Sequence, residues 1–203
     1  LMIIDLTSLR LFGYARTALE YLYSYLELNE GDEVLYPDYI CDVLMIPAKK
    51  YKVNIKFYNT KENLTPDLSH ALSLINKNTK AFLAINYFGF PQPFDLIKLF
   101  CRDNNLFFIE DNAHSFLSKQ GEKTLGEFGD MSIFSFRKLV PLVNGAALKA
   151  NSNSQLNANW ENLDNLRLKK EKSKIREVKS FFQRQLMLKN LNLRKYFKSQ
   201  FVI

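Results

Sequence analysis

The chain has 203 residues, of which 47% are hydrophobic and 24% charged, with a formal net charge of +7. That is the composition of an ordinary globular protein with room for a sizeable core; it excludes a low-complexity or collagen-like chain, and no apolar run reaches the length of a membrane span. The charge is local: between Arg167 and Lys198 twelve Lys and Arg face two Glu, which leaves the rest of the chain at −3 and excludes a basic nucleic-acid surface spread over the body.

The predicted elements follow in chain order. Ala18, Leu19, Tyr21, Leu22, Tyr25 and Leu26 recur at helical spacing and predict a helix over residues 17–27. EVLYP, residues 33–37, reads as a short strand, residues 40–50 as a helix, and VNIKFYN, residues 53–59, as an alternating strand. A helix over 66–75, a buried strand over 80–88 and a helix over 94–101 come next. Two further strands are expected at MSIFSF, residues 131–136, and GAALKA, residues 145–150, with Pro141 keeping their connection from being helical throughout. Past residue 151 the chain turns polar and then Lys-rich. Leu166, Leu168, Ile175, Val178, Phe181, Phe182, Leu186 and Leu188 there are spaced as one helical face. The division expected is a domain over 1–152 and a basic helical extension over 153–203, packed on its own domain or on a partner.

Alternation of strand and helix implies βαβ crossovers, hence an α/β three-layer sandwich around a mainly parallel mixed sheet. Its organising stretch is LFFIEDNA, residues 106–113, followed at once by His114. Leu106 to Ile109 run without polar alternation into two carboxylates, as a strand buried on both faces does when it ends at a site. In such sheets the ligand crevice lies beyond the carboxyl ends of the strands, so Glu110, Asp111 and His114 are candidates; a helix cap at Asp111 or Asn112 is the structural alternative.

The two cysteines, Cys41 and Cys101, are far apart in apolar surroundings, which predicts buried thiols rather than a disulfide framework or a metal cluster. The opening LMIIDLTSLRLFGYA has neither a basic n-region nor a cleavage site, and the expected location is the cytoplasm.

Six segments stand in register: GYARTAL, GDEVLYPDYIC, NYFGFP, IEDNAH, LGEFGDMSIFSFRK and NGAAL. Together they resemble the DegT/DnrJ/EryC1/StrS family, the pyridoxal-phosphate sugar aminotransferases of fold type I, over about residues 10–150. The resemblance implies a fold type I large domain, pyridoxal 5'-phosphate as cofactor, no metal, a nucleotide-linked keto sugar and an amino-acid donor as substrates, and a homodimer. Asp111 matches the aspartate that faces the pyridine nitrogen, where a carboxylate keeps the ring protonated. His114 matches a Gln or His beside the phenolic oxygen. Ala15, Arg16 and Thr17 match the phosphate segment at the head of the first helix, and Ser135 matches a serine on the same phosphate. Lys138 matches the Schiff-base lysine, although it follows Phe136 by two residues where most of the family has four.

Three departures stand beside these matches. Cys41 occupies the place of the aromatic that stacks on the cofactor ring, with Tyr39 as its substitute. Ala146 replaces the second glycine of a Gly-Gly pair. The family's small domain is absent or reduced. The function implied is transfer of an amino group from glutamate to a nucleotide-linked keto sugar for surface polysaccharide. The alternative is a truncated or degenerate member that binds or pairs without turnover.

Overall fold

The structure, a computed structural model, describes residues 9–140 and 142–151. The predicted basic extension over 153–203 lies outside the described residues. Chain order runs β1 (Leu9–Phe12), α1 (Ala15–Tyr25), β2 (Glu33–Pro37), α2 (Met45–Tyr51), β3 (Asn54–Tyr58), α3 (Leu68–Leu74) and β4 (Thr79–Ile85). It continues with α4 (Phe94–Asp103), β5 (Phe107–Asn112), a small hairpin of β6 (Lys119–Gln120) and β7 (Lys123–Thr124), β8 (Met131–Ser135) and β9 (Ala146–Ala150). Among the described residues no helix is long and apolar enough to cross a membrane.

Seven strands form one sheet in the order β1-β9-β8-β5-β4-β2-β3. The pairs from β8 through β3 are parallel, and β9 runs antiparallel to both β8 and β1. The mainly parallel mixed sheet expected from the strand–helix alternation is therefore present.

Strand residues alternate between two cores. Val34, Tyr36, Ala81, Leu83, Ile85 and Ile109 face Ala18, Leu19, Leu22 and Tyr23 of α1 and Ala48 of α2. Leu35, Phe82, Ala84 and Phe108 face Ala71 of α3 and Phe94, Ile97, Phe100 and Cys101 of α4. Burying one Leu, Ile or Phe completely contributes roughly 1.5–3 kcal/mol, so both faces are tightly specified and a one-residue slip of a central strand is excluded. The phenol oxygens of Tyr23 and Tyr36 lie 2.7 Å apart, joining α1 to the sheet through a buried hydrogen bond.

The structure differs from the sequence reading at several ends. β1 had no counterpart: four residues are too few for periodicity to register, and pairing with β9 defines the strand. The helix expected over 40–50 opens with a 3-10 turn at Asp42–Leu44 before α2. The helix expected over 66–75 is α3 alone, because the Asp67 carboxylate accepts from the Ser69 and His70 N–H groups and caps it there. The strand expected over 80–88 stops at Ile85, and a turn at Tyr87–Gly89 carries Phe88 at φ 53°, a left-handed conformation.

Successive residues of β5 point to opposite faces. Glu110 turns toward the face of α4 and is fully buried, and its carboxylate accepts from Gly126 N (2.6 Å), Phe128 N (2.9 Å), Gly129 N (3.0 Å), Ser132 Oγ (3.2 Å) and Asn86 Nδ2 (2.8 Å). A Cβ at Gly129 would stand 2.8 Å from Glu110 Cβ, so glycine is needed for this loop to lie so close. Glu110→Ala strands five donors, three of them backbone. Each stranded buried donor costs on the order of 1–3 kcal/mol, so the unfolding free energy from denaturant titration should fall by more than about 3 kcal/mol.

Candidate functional site

The carboxyl ends of parallel strands open onto one cavity of about 370 Å³. The end of β4 contributes Ile85, with Tyr87 and Phe88 beyond it; the end of β5 contributes Asp111, Ala113 and His114; the end of β8 contributes Ser135, with Arg137 and Lys138 on the turn that follows. Tyr39, Ile40 and Cys41 line it from the loop after β2, and Tyr14, Ala15 and Arg16 from the head of α1. Crevices of this size at strand carboxyl ends are ordinary small-molecule sites.

Asp111 is 1% exposed. Its Oδ1 accepts from the Ala113 N–H at 2.8 Å. Burial pushes its carboxyl up from 3.8 to about 6, against the opposing pull of that hydrogen bond and of the Lys138 charge. A buried acid raised in this way is the electrostatic complement of a cation bound in the cavity.

His114 lies across the cavity floor. Its Nε2 stands 2.8 Å from Lys138 Nζ, and its ring stacks on Phe88 with centroids 5.7 Å apart and planes 10° from parallel. Burial, then the neighbouring ammonium, push the imidazole below its ordinary value, which favours the neutral ring. Lys138 itself is exposed on its turn.

The head of α1 is suited to an anion. Tyr14 at the N-cap gives no side-chain cap and the first turn holds no acid, so no side chain caps the N–H groups of Ala15 and Arg16, which line the cavity. The Arg16 guanidinium lies 4.3 Å from the Tyr14 ring centroid. Thr17 does not line the cavity, and its N–H closes the first turn onto the Tyr14 carbonyl.

Ser135 is 4% exposed and lines the cavity at the end of β8. Tyr39 packs on the Tyr87 ring with centroids 5.5 Å apart and receives the Tyr87 hydroxyl proton on its carbonyl oxygen at 2.7 Å. One expectation is corrected here: Cys41 is an exposed thiol on the cavity wall, because the chain leaves the sheet at Pro37 and does not return to a core until α2, whereas Cys101 is buried as expected. Ala146 is fully buried in β9, paired with Phe12 of β1 and Ser135 of β8.

The family's sequence profile matches residues 13–180. The chain belongs to the DegT/DnrJ/EryC1/StrS aminotransferase family. It is 34% identical to GDP-4-keto-6-deoxy-D-mannose 3-dehydratase of Yersinia pseudotuberculosis over 110 residues, 54% of this chain and 28% of that protein. It is also 34% identical to GDP-perosamine synthase of Escherichia coli O157:H7 over 113 residues, 55% of this chain and 31% of that protein. Among solved structures, E. coli GDP-4-keto-6-deoxy-D-mannose-3-dehydratase with bound hydrated PLP superposes with a TM-score of 0.62 at 23% identity, over 70% of this chain and 39% of that one. The chain thus spans about a third of the length of the curated relatives it matches.

Family members are pyridoxal-phosphate-dependent aminotransferases, and the cavity fits that cofactor. A buried carboxylate without a full cationic partner suits a pyridinium, an uncapped helix head with Arg16 and Ser135 suits a phosphate, and an exposed amine at Lys138 suits an aldehyde. Tyr14, Tyr87, Phe88 and Arg137 also line the cavity and were not singled out from the sequence. The signal for Tyr87 and Phe88 was the aromatic pair directly after a strand in NYFGFP, and for Arg137 its adjacency to Lys138.

Because the folded Asp111 carboxyl titrates near 6 and the unfolded one near 3.8, the native chain holds more protons between those values, and rising pH through that window removes stability. At about 1.4 kcal/mol per unit the loss is on the order of 3 kcal/mol. Denaturant titrations of the cofactor-free chain between about pH 4 and about pH 7 should show that decline. Asp111→Asn should flatten it and be the more stable chain at neutral pH.

Proposed function

We propose that this chain carries the cofactor-binding part of a pyridoxal-phosphate aminotransferase that moves an amino group from glutamate to a nucleotide-linked keto sugar for surface polysaccharide. The reading includes a large domain over residues 1–152, a cytoplasmic location and a homodimer. The observation that carries it is the convergence of Asp111, Lys138 and the uncapped head of α1 on one cavity. The names of the relatives point to nucleotide-linked sugars as the substrate class.

Bound in this cavity, pyridoxal phosphate supplies an electron sink for the carbon that bears the migrating nitrogen. Asp111 holds the ring-nitrogen proton by charge, in surroundings dry enough for that single charge to count. Ala15 and Arg16 backbone N–H groups, the Arg16 guanidinium and the Ser135 hydroxyl would hold the phosphate. Tyr39, packed on Tyr87, would flank the ring in the role that the thiol of Cys41 cannot fill. Lys138 is the covalent anchor and then the group that moves protons at the reacting carbon. His114, 2.8 Å from Lys138, is the side chain that would meet the phenolic oxygen.

Borohydride reduction of the full-length protein mixed with pyridoxal phosphate should leave one covalent cofactor increment on the peptide holding Lys138, seen by mass spectrometry. Lys138→Ala should abolish it. An increment distributed over surface lysines, with none at Lys138, would sink the assignment.

A further inference from the structure

The contact between Lys138 and His114 reaches further than cofactor binding. Lys138 Nζ and His114 Nε2 are 2.8 Å apart, a full hydrogen bond between two basic side chains. Such a pair is stable only when it shares one positive charge. With the proton on the lysine, the ammonium donates to Nε2 and the imidazole keeps its hydrogen on Nδ1. That Nδ1 is buried and has no hydrogen-bond partner among the described residues, so none of them holds the ring by its far side, as most oriented histidines are held. It is held by Phe88, which stacks on it nearly in parallel. Phe88 is 63% exposed and sits at φ 53°. An aromatic residue in a left-handed conformation costs on the order of 1–3 kcal/mol, and stacking on His114 is what that strained turn delivers.

We propose that His114 positions the Lys138 amine and takes up the proton its ammonium must lose before it can attack a carbonyl, with Phe88 clamping the imidazole. This rests on the reading of Lys138 as the covalent residue. The Lys138 ammonium passes one of its three protons to His114 Nε2, and the freed lone pair forms the carbon–nitrogen bond to an aldehyde. One remaining amine proton moves to the former carbonyl oxygen, His114 returns its proton to that oxygen, and water leaves; the nitrogen keeps one proton and its positive charge. No electrons are gained or lost. The charged groups around the pair are Asp111 at the end of β5, Arg137 on the turn of Lys138 and Arg16 at the head of α1, with the Tyr39 and Tyr87 phenols on the remaining wall. Burial, then the Lys138 charge, lower the proton affinity of the imidazole. His114 therefore waits neutral, as a proton acceptor must.

The test does not require the cofactor. Trinitrobenzenesulfonate labels free amines, and peptide mass spectrometry separates Lys138 from Lys77, an exposed lysine outside the cavity. At about pH 7.5, just above the ordinary histidine range, Lys138 of the full-length protein should react roughly tenfold or more faster than Lys77. His114→Phe should bring Lys138 down to the Lys77 rate. His114→Gln, which can accept the hydrogen bond but cannot take the proton, should do the same. Equal Lys138 rates in the parent and His114→Phe chains overturn the proposal, and a Gln variant that keeps the fast rate overturns its proton-transfer half. Nitrogen-detected NMR of the unaltered protein gives a variant-free check: an Nδ1–H tautomer with a bonded Nε2 supports it, and an Nε2–H tautomer refutes it. Fast labelling of Lys138 without a reducible pyridoxal phosphate increment would count against the cofactor reading alone.

Discussion

Two carboxylates placed back to back on one strand set the terms for the rest of this molecule. Strand pleating sends Glu110 and Asp111 to opposite faces of the sheet, and both are buried. A buried carboxylate is tolerated when donors surround it or when its charge has a task. Glu110 has the donors. Three backbone N–H groups, a serine hydroxyl and the Asn86 amide converge on it, so the 126–129 loop, the end of β4 and the start of β8 are tied to β5 at one point. Those strands present the cavity, and the Glu110 network holds them to one another.

Asp111 lacks that company. One backbone N–H meets it, and burial leaves its proton affinity high. In stability terms this is a weakness at neutral pH, concentrated where a cationic ring would remove it. The same logic applies across the cavity, where the uncapped head of α1 forgoes a capping interaction worth about 1 kcal/mol and keeps its N–H groups for an anion. Phe88 adds backbone strain. Three local departures from good folding practice thus surround one 370 Å³ cavity, which is how a binding site differs from a core.

Much of this was legible beforehand. Apolar runs at residues 80–85 and 106–109 marked central strands because a strand covered on both faces has no polar alternation. The carboxylates after the second run marked its end as chemically distinct. The family resemblance supplied roles for Ala15, Arg16, His114, Ser135 and Lys138, and the cavity collects each of them. Periodicity was blind to β1, whose four residues become a strand only by pairing with β9, and to the left-handed turn at Phe88, whose ring stacks on a residue 26 positions away. It also misjudged Cys41, since an apolar neighbourhood in sequence does not imply cover in space.

The amino-acid sequence by itself determined the class of fold, the strand that ends in acids and the residue types available for chemistry, because these rest on short-range pattern and composition. Pattern alone left open which acid serves the site, and it was the family resemblance that chose Asp111. Asp111 or Glu110 could have faced the cavity until neighbouring strands set the register, and a shift of one residue exchanges them. The pairing of Lys138 with His114, 24 positions apart, likewise belongs to the tertiary structure. It arises because β5 and β8 are parallel neighbours whose carboxyl ends meet at the same edge of the sheet.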